Sequence, residues 1–192
     1  GPYPTELAPR TAIGVGWTMH FGRVHRSGTL YPICSTTTGS TLNDTLDNPV
    51  LELPDGSQQI LFANATSFNA LWVTKEQWVA YCIGSGTGLL VISPDGTKYT
   101  MNYLKAGGTY YGEANRAWYT TRIEDRNGNW LNIAYNTTAQ SVGIDPIFSQ
   151  ITSSGGGNVT FNYSNTNNAL RVLLTSISAN GQTWQYNYTP AT

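Results

Sequence analysis

With 192 residues, a formal net charge of −1, 11% charged and 12% aromatic residues, the chain is long enough for one good core or for a fragment of something larger. Its polarity comes mainly from hydroxyls and amides, a β-rich extracellular composition, and no basic cluster is present to neutralise phosphates, which argues against a nucleic-acid partner. No run approaches the roughly 18 to 20 uninterrupted apolar residues of a membrane-spanning helix, so no membrane insertion is expected.

Residues 1–12 read as a tag scar and an extended, Pro-rich lead-in. Gly1-Pro2 has the form left by a site-specific protease, and no charged-then-apolar signal peptide follows it. Residues 13–48 read as an opening strand and a polar linker. From Val15 the sequence alternates, which predicts Val15, Trp17, Met19 and Phe21 on one strand face, with Trp17 as a core plug. Ser35 to Asn48 is small, polar and without period, hence linker.

Residues 49–192 repeat one unit: an alternating strand, a turn ending in Gly, and a second alternating strand rich in aromatics. Val50-Leu51-Glu52-Leu53-Pro54-Asp55-Gly56 runs into Gln59-Ile60-Leu61-Phe62, and Leu90-Val91-Ile92-Ser93-Pro94-Asp95-Gly96 into Tyr99-Thr100-Met101. Further copies centre on Asn127-Gly128, on Gly155-Gly156-Gly157 and on Asn180-Gly181. Asp-Gly and Asn-Gly supply the positive φ of tight hairpin turns, and period-two alternation sends one side of each strand to a core. The predicted fold is therefore all-β: stacked antiparallel β-hairpins forming a curled, spiral-like sheet, because a lone hairpin cannot bury its apolar face.

Between the first two of these hairpins, Asn69 to Cys82 is the least repetitive part and reads as strand, turn, strand. Gly84-Ser85-Gly86-Thr87-Gly88 is a flexible turn that lacks the spacing of a nucleotide-binding loop. Tyr103 to Asn115 reads as an irregular Gly-rich insertion. Cys34 and Cys82 are the only thiols and read either as a disulfide or as two buried free thiols.

Sites for chemistry are few. Glu52 with Asp55, and Glu124 with Asp125, are the carboxylate pairs a glycosidase would need, yet turn chemistry alone explains the Asp of Pro-Asp-Gly. Asp125, Asn127 and Asn129 resemble alternating calcium ligands, but Trp130 stands where the loop needs Gly, and the hairpin accounts for the run. His20 and His25 have no close Cys pair to make a zinc site. No catalytic residue, metal or cofactor is predicted. The aromatic rings mostly fill the sheet's apolar face, as with Trp184, Tyr186 and Tyr188, which share one strand face by parity. Tyr110, Tyr111 and Trp118, in or beside the insertion, are the predicted exposed platform of an alternative function, carbohydrate binding, with a glycan as partner.

Gly14-Val15-Gly16-Trp17 with His20-Phe21-Gly22-Arg23, Asn48-Pro49-Val50-Leu51-Glu52-Leu53-Pro54-Asp55-Gly56, Arg122-Ile123-Glu124-Asp125-Arg126-Asn127-Gly128-Asn129, and Leu174-Thr175-Ser176-Ile177-Ser178 before Asn180-Gly181 closely resemble the start of an RHS/YD-repeat protein. The resemblance implies a hollow shell wound from hairpins, which in bacterial toxins encloses a carboxy-terminal effector, with related shells in insecticidal toxin complexes and animal adhesion receptors. It implies a non-catalytic wall segment of a larger exported protein, secreted or at the cell surface, whose partners are the remaining repeats or a toxin cargo. The chain departs from that pattern in lacking the Tyr-Asp dipeptide, with Tyr135-Asn136, Tyr163-Ser164 and Tyr188-Thr189 in comparable places. It is also too short to close such a shell, and it has no Asp-rich self-cutting motif. A truncated spiral leaves a strand edge unpaired, so self-association through that edge is also expected.

Overall fold

The computed structural model describes residues 10–11, 14–15, 19–26, 48–64, 71–84, 87–106, 116–136, 146–164 and 172–188. Among them every regular element is a β-strand and every pairing is antiparallel. The chain divides into two compact units, His20–Trp130 and Gly1–Met19 with Leu131–Thr192.

In the first of these units, β3 (Arg23–Arg26), β4 (Val50–Glu52), β5 (Gln58–Ile60), β6 (Phe62–Asn64), β7 (Leu71–Val73), β8 (Val79–Ile83), β9 (Gly88–Ile92), β10 (Lys98–Ala106) and β11 (Arg116–Glu124) follow in chain order. The ladder runs β5-β4-β3-β11-β10-β9-β8-β7-β6. Its two ends, β5 and β6, are consecutive in the chain with Leu61 alone between them. The sheet thus curls back on itself yet stays open, since β5 and β6 succeed one another and do not pair. Leu61 is fully buried, whereas its neighbours Ile60 and Phe62 are about half exposed. Nearly every strand of the circuit sends a side chain into one core: Val24, Leu51, Leu61, Trp72, Ala80, Leu89, Val91, Met101 and Trp118.

The second unit holds β1 (Arg10–Thr11) paired with β2 (Gly14–Val15), and a meander of β12 (Trp130–Tyr135, in this unit from Leu131 on), β13 (Phe148–Ser153), β14 (Asn158–Tyr163), β15 (Leu174–Ala179) and β16 (Gln182–Gln185). Register sorts its side chains by parity. Ile133, Ile151, Val159 and Ala179 form one cross-strand row, and Phe161, Ile177 and Trp184 another. Tilted ring contacts from Tyr135 to Phe148 and from Phe148 to Phe161, at 5.3 and 5.7 Å, extend the second row. The opposite face carries Asn132, Gln150, Thr152, Thr160, Asn162, Ser176 and Ser178, so one side is apolar and the other polar.

One turn recurs. In Leu53–Ser57, Ser93–Thr97, Asp125–Asn129 and Ser153–Gly157 the first residue donates its N–H to the carbonyl of the fifth, and the glycine at the fourth position donates to the carbonyl of the first, all at 2.9–3.1 Å. Those glycines, Gly56, Gly96, Gly128 and Gly156, have φ of 81° to 88°. This is a type I turn closed by a glycine bulge, with the positive φ confined to the bulge residue. Asn180 and Gly181, at φ 50° and 78°, instead form a two-residue turn closed by the Ala179–Gln182 pair, the type I′ geometry.

A fifth copy lies in the stretch that looked unrepeated. Thr74 donates to Trp78 at 2.9 Å and Gln77 to Thr74 at 3.1 Å, and Gln77 takes the bulge position with φ of 66°. The strand–turn–strand expected over this stretch is thus the same hairpin with glutamine in the glycine's place. Val73 faces Val79 across it as Glu52 faces Gln58, Ile92 faces Lys98 and Thr152 faces Asn158.

Two expectations are corrected here. The opening strand expected to hold Phe21 on one face with Val15, Trp17 and Met19 does not extend through Phe21, which sits in a bend, and Gly22 has φ of 91° before β3 begins. Nor is Tyr103 to Asn115 wholly insertion, because β10 continues through Ala106 opposite β11.

Candidate functional site

The core-facing residues Leu51, Val24 and Trp118 are opposite one another on β4, β3 and β11, so their sequence neighbours share the other face. There Glu52 is opposite Arg23, and Arg23 opposite Tyr119. Arg23 donates from Nε to Glu52 Oε2 at 2.8 Å and from Nη1 to the Tyr119 hydroxyl at 2.9 Å, and its Nη2 is also 2.8 Å from Oε2. The guanidinium carbon lies 5.7 Å from the Tyr119 ring centre. His20 completes the carboxylate: its Nε2 is 3.1 Å from Oε1, while its Nδ1 accepts the Gly22 N–H at 3.2 Å, an arrangement that places the ring proton on Nε2. Gly22 is tied down in turn by Thr120, whose hydroxyl and N–H both donate to its carbonyl.

This is a buried charge cluster in a sparsely charged chain. Burial on its own would raise the Glu52 pKa. The His20 hydrogen bond and the charge and hydrogen bonds of Arg23 outweigh it and bring the carboxyl down to about 2. The pKa of His25, on the same face, is also lowered, which here disfavours the charged form: burial first, then the Arg23 charge, lower it, with Glu52 opposing. Sequence reading missed the ensemble. The available signal was Glu52 standing inside an apolar strand, Val50 to Leu53.

The predicted carboxylate pairs are not brought together as reaction centres. Glu52 is buried on β4, whereas Asp55 is exposed in the turn, where its Oδ1 accepts the Ser57 N–H and hydroxyl. Glu124 lies 3.0 Å from Arg122 and 3.5 Å from Lys98, and Arg122 stacks over Trp130 at 4.9 Å. Asp125 accepts the N–H groups of Asn127 and Asn129 on Oδ1 and the Asn129 amide on Oδ2, so the calcium-like spacing is occupied by its own turn. Among the described residues no group of three or more His, Cys, Asp or Glu is placed to hold a metal ion.

The aromatic expectations change places. Trp118 is only 6% exposed and belongs to the core, because its parity on β11 turns it inward beside Val24. Tyr110 and Tyr111 lie outside the described residues. Trp184, Tyr186 and Tyr188, expected as core filling, are instead 52, 41 and 42% exposed. They follow the last turn of the unit's ladder, and among the described residues no further strand of the meander covers their flank. Cys82 is disulfide-bonded; Cys34, the other cysteine of the sequence, lies outside the described residues.

No protein-family model matches the chain, and no curated protein matches it either.

Proposed function

We propose that this chain is a non-catalytic structural segment of an RHS/YD-type hairpin shell, which encloses or presents an effector within a larger exported protein. The observation that carries the reading is the recurrence of one five-residue hairpin turn at five places, with the strand registers aligned in the same way. Such a unit is stable only when laid against its neighbours. The charges support a structural role, since Glu52, Asp55, Glu124 and Asp125 are each engaged by partners within the chain. A disulfide at Cys82 suits an oxidising, extracellular compartment.

Electron microscopy of the full-length protein tests this reading. The expected result is a wall in which β16 is hydrogen-bonded to the first strand of a following hairpin, around an enclosed space. A full-length protein with no further hairpins and no cargo would overturn it.

Carbohydrate binding keeps one specific observation, the exposed rings of Trp184, Tyr186 and Tyr188 on one strand face. A glycan array settles that alternative: binding lost in Trp184→Ala with folding intact would favour it over the shell.

A further inference from the structure

The β16 edge carries a second consequence for the 192-residue chain taken by itself, which does not rest on the shell reading; in a shell a following hairpin would take the same edge. Tyr186 donates its N–H to Thr175 at 2.9 Å, and Ile177 with Trp184 and Ala179 with Gln182 stand at the same phase of the ladder. Hydrogen-bonded and non-hydrogen-bonded pairs alternate in antiparallel strands. The N–H and C=O groups of Thr183 and Gln185 therefore turn away from β15. Natural edges are blunted by charge, proline or a bulge. From Ser176 to Tyr188 the sequence has no charged residue and no proline, and β15 and β16 pair without a register shift.

We propose that β16 is a self-complementary edge through which two copies of this chain pair antiparallel about a two-fold axis at Gln185. With that axis the hydrogen-bonded positions match Gln185 to Gln185 and Thr183 to Asn187 of the other copy. The intervening, non-hydrogen-bonded position sets Trp184 of each copy against Tyr186 of the other, on the apolar face of both sheets. Side chains approach most closely at such positions, and aromatic cross-strand pairs there are favourable. Each copy offers this edge once, so the pairing closes at two.

Sedimentation equilibrium of the 192-residue chain over a hundredfold concentration range, with Gln185→Pro and Trp184→Lys beside it, tests the proposal. The Gln185 N–H points outward, so proline removes no bond to β15, and an unchanged thermal transition verifies that the variant is folded. The expected result is a concentration-dependent monomer–dimer equilibrium, with dimerisation weakened at least tenfold in both variants. A monomer at every concentration, association beyond two copies, or a dimer indifferent to both substitutions would overturn the self-pairing. None of these outcomes bears on the shell reading, which stands or falls on the full-length protein.

Discussion

His25 stands diagonally across the β3–β4 pair from Glu52 without a hydrogen bond to it: Nε2 lies 3.5 Å from Oε2, an oxygen that Arg23 already holds from Nε and Nη2 at 2.8 Å. Oε2 already takes two contacts from Arg23, so a proton added to His25 enters a site shared with the Arg23 charge.

The consequence is a two-step acid sensitivity. His25 has a folded pKa below its ordinary 6.5, so the unfolded chain takes up its proton first. The His25 contribution to stability is complete above about pH 6.5 and is lost as pH drops below it. Glu52 has a folded pKa of about 2 against 4.5; its contribution is complete above 4.5 and is lost on the way down to 2. Urea unfolding as a function of pH should show the upper step disappear in His25→Gln and the lower step shrink in Glu52→Gln. An unchanged upper slope in His25→Gln would refute the assignment.

Removing one side of a buried ion pair strands the other. Glu52→Gln is expected to destabilise the chain by about 3–5 kcal/mol, because the Arg23 charge remains in place without the carboxylate. Arg23→Lys keeps the charge but loses the fork that joins Glu52 to Tyr119, and should cost about 1–2 kcal/mol. Equal losses in the two variants by chemical denaturation would contradict the geometry.

Gln77 occupies a backbone conformation that costs a residue with a Cβ about 1–2 kcal/mol, while glycine gives back about 0.5–1 kcal/mol in unfolded-state entropy. Gln77→Gly should therefore raise stability by roughly 0.5–1 kcal/mol. Gly56→Ala, at the equivalent position with open space around it and φ of 83°, should lower it. A midpoint shift in the same direction for both would dismiss the shared turn geometry.

Cys34 is expected as the bonding partner of Cys82. A link between them closes a loop of about 48 residues, which in the chain-entropy account contributes about 4 kcal/mol. Non-reducing peptide mapping should recover the Cys34 and Cys82 peptides joined, and Cys82→Ala should lower the melting temperature. Free thiols at both positions would remove this element.

The hairpins announced by Asp-Gly or Asn-Gly were legible in the sequence because the turn requires a residue that tolerates positive φ, and few residues do. The Gln77 copy was illegible for the same reason: its conformation is set by the surrounding strands and not by local preference. Parity identified the apolar faces of β12 to β16, but parity says nothing about where a sheet stops, so Trp184 looked like core. Trp118 failed in the opposite sense, since a strand continues where composition suggested a loop. The Glu52 cluster depends on β3 lying between β4 and β11, and no local pattern encodes a pairing between Val24 and Trp118.

That pairing also sets a timetable. β3 and β11 are separated by roughly 90 residues, and at about 5–20 residues per second of synthesis the early strand exists for roughly 5–20 s before its second flank is made. A strand left waiting that long is a target for the wrong partner. The sequence of β3 is Arg-Val-His-Arg, with basic groups on either side of its core valine, and such a strand stays hydrated until the end of unit assembly brings β11 to it.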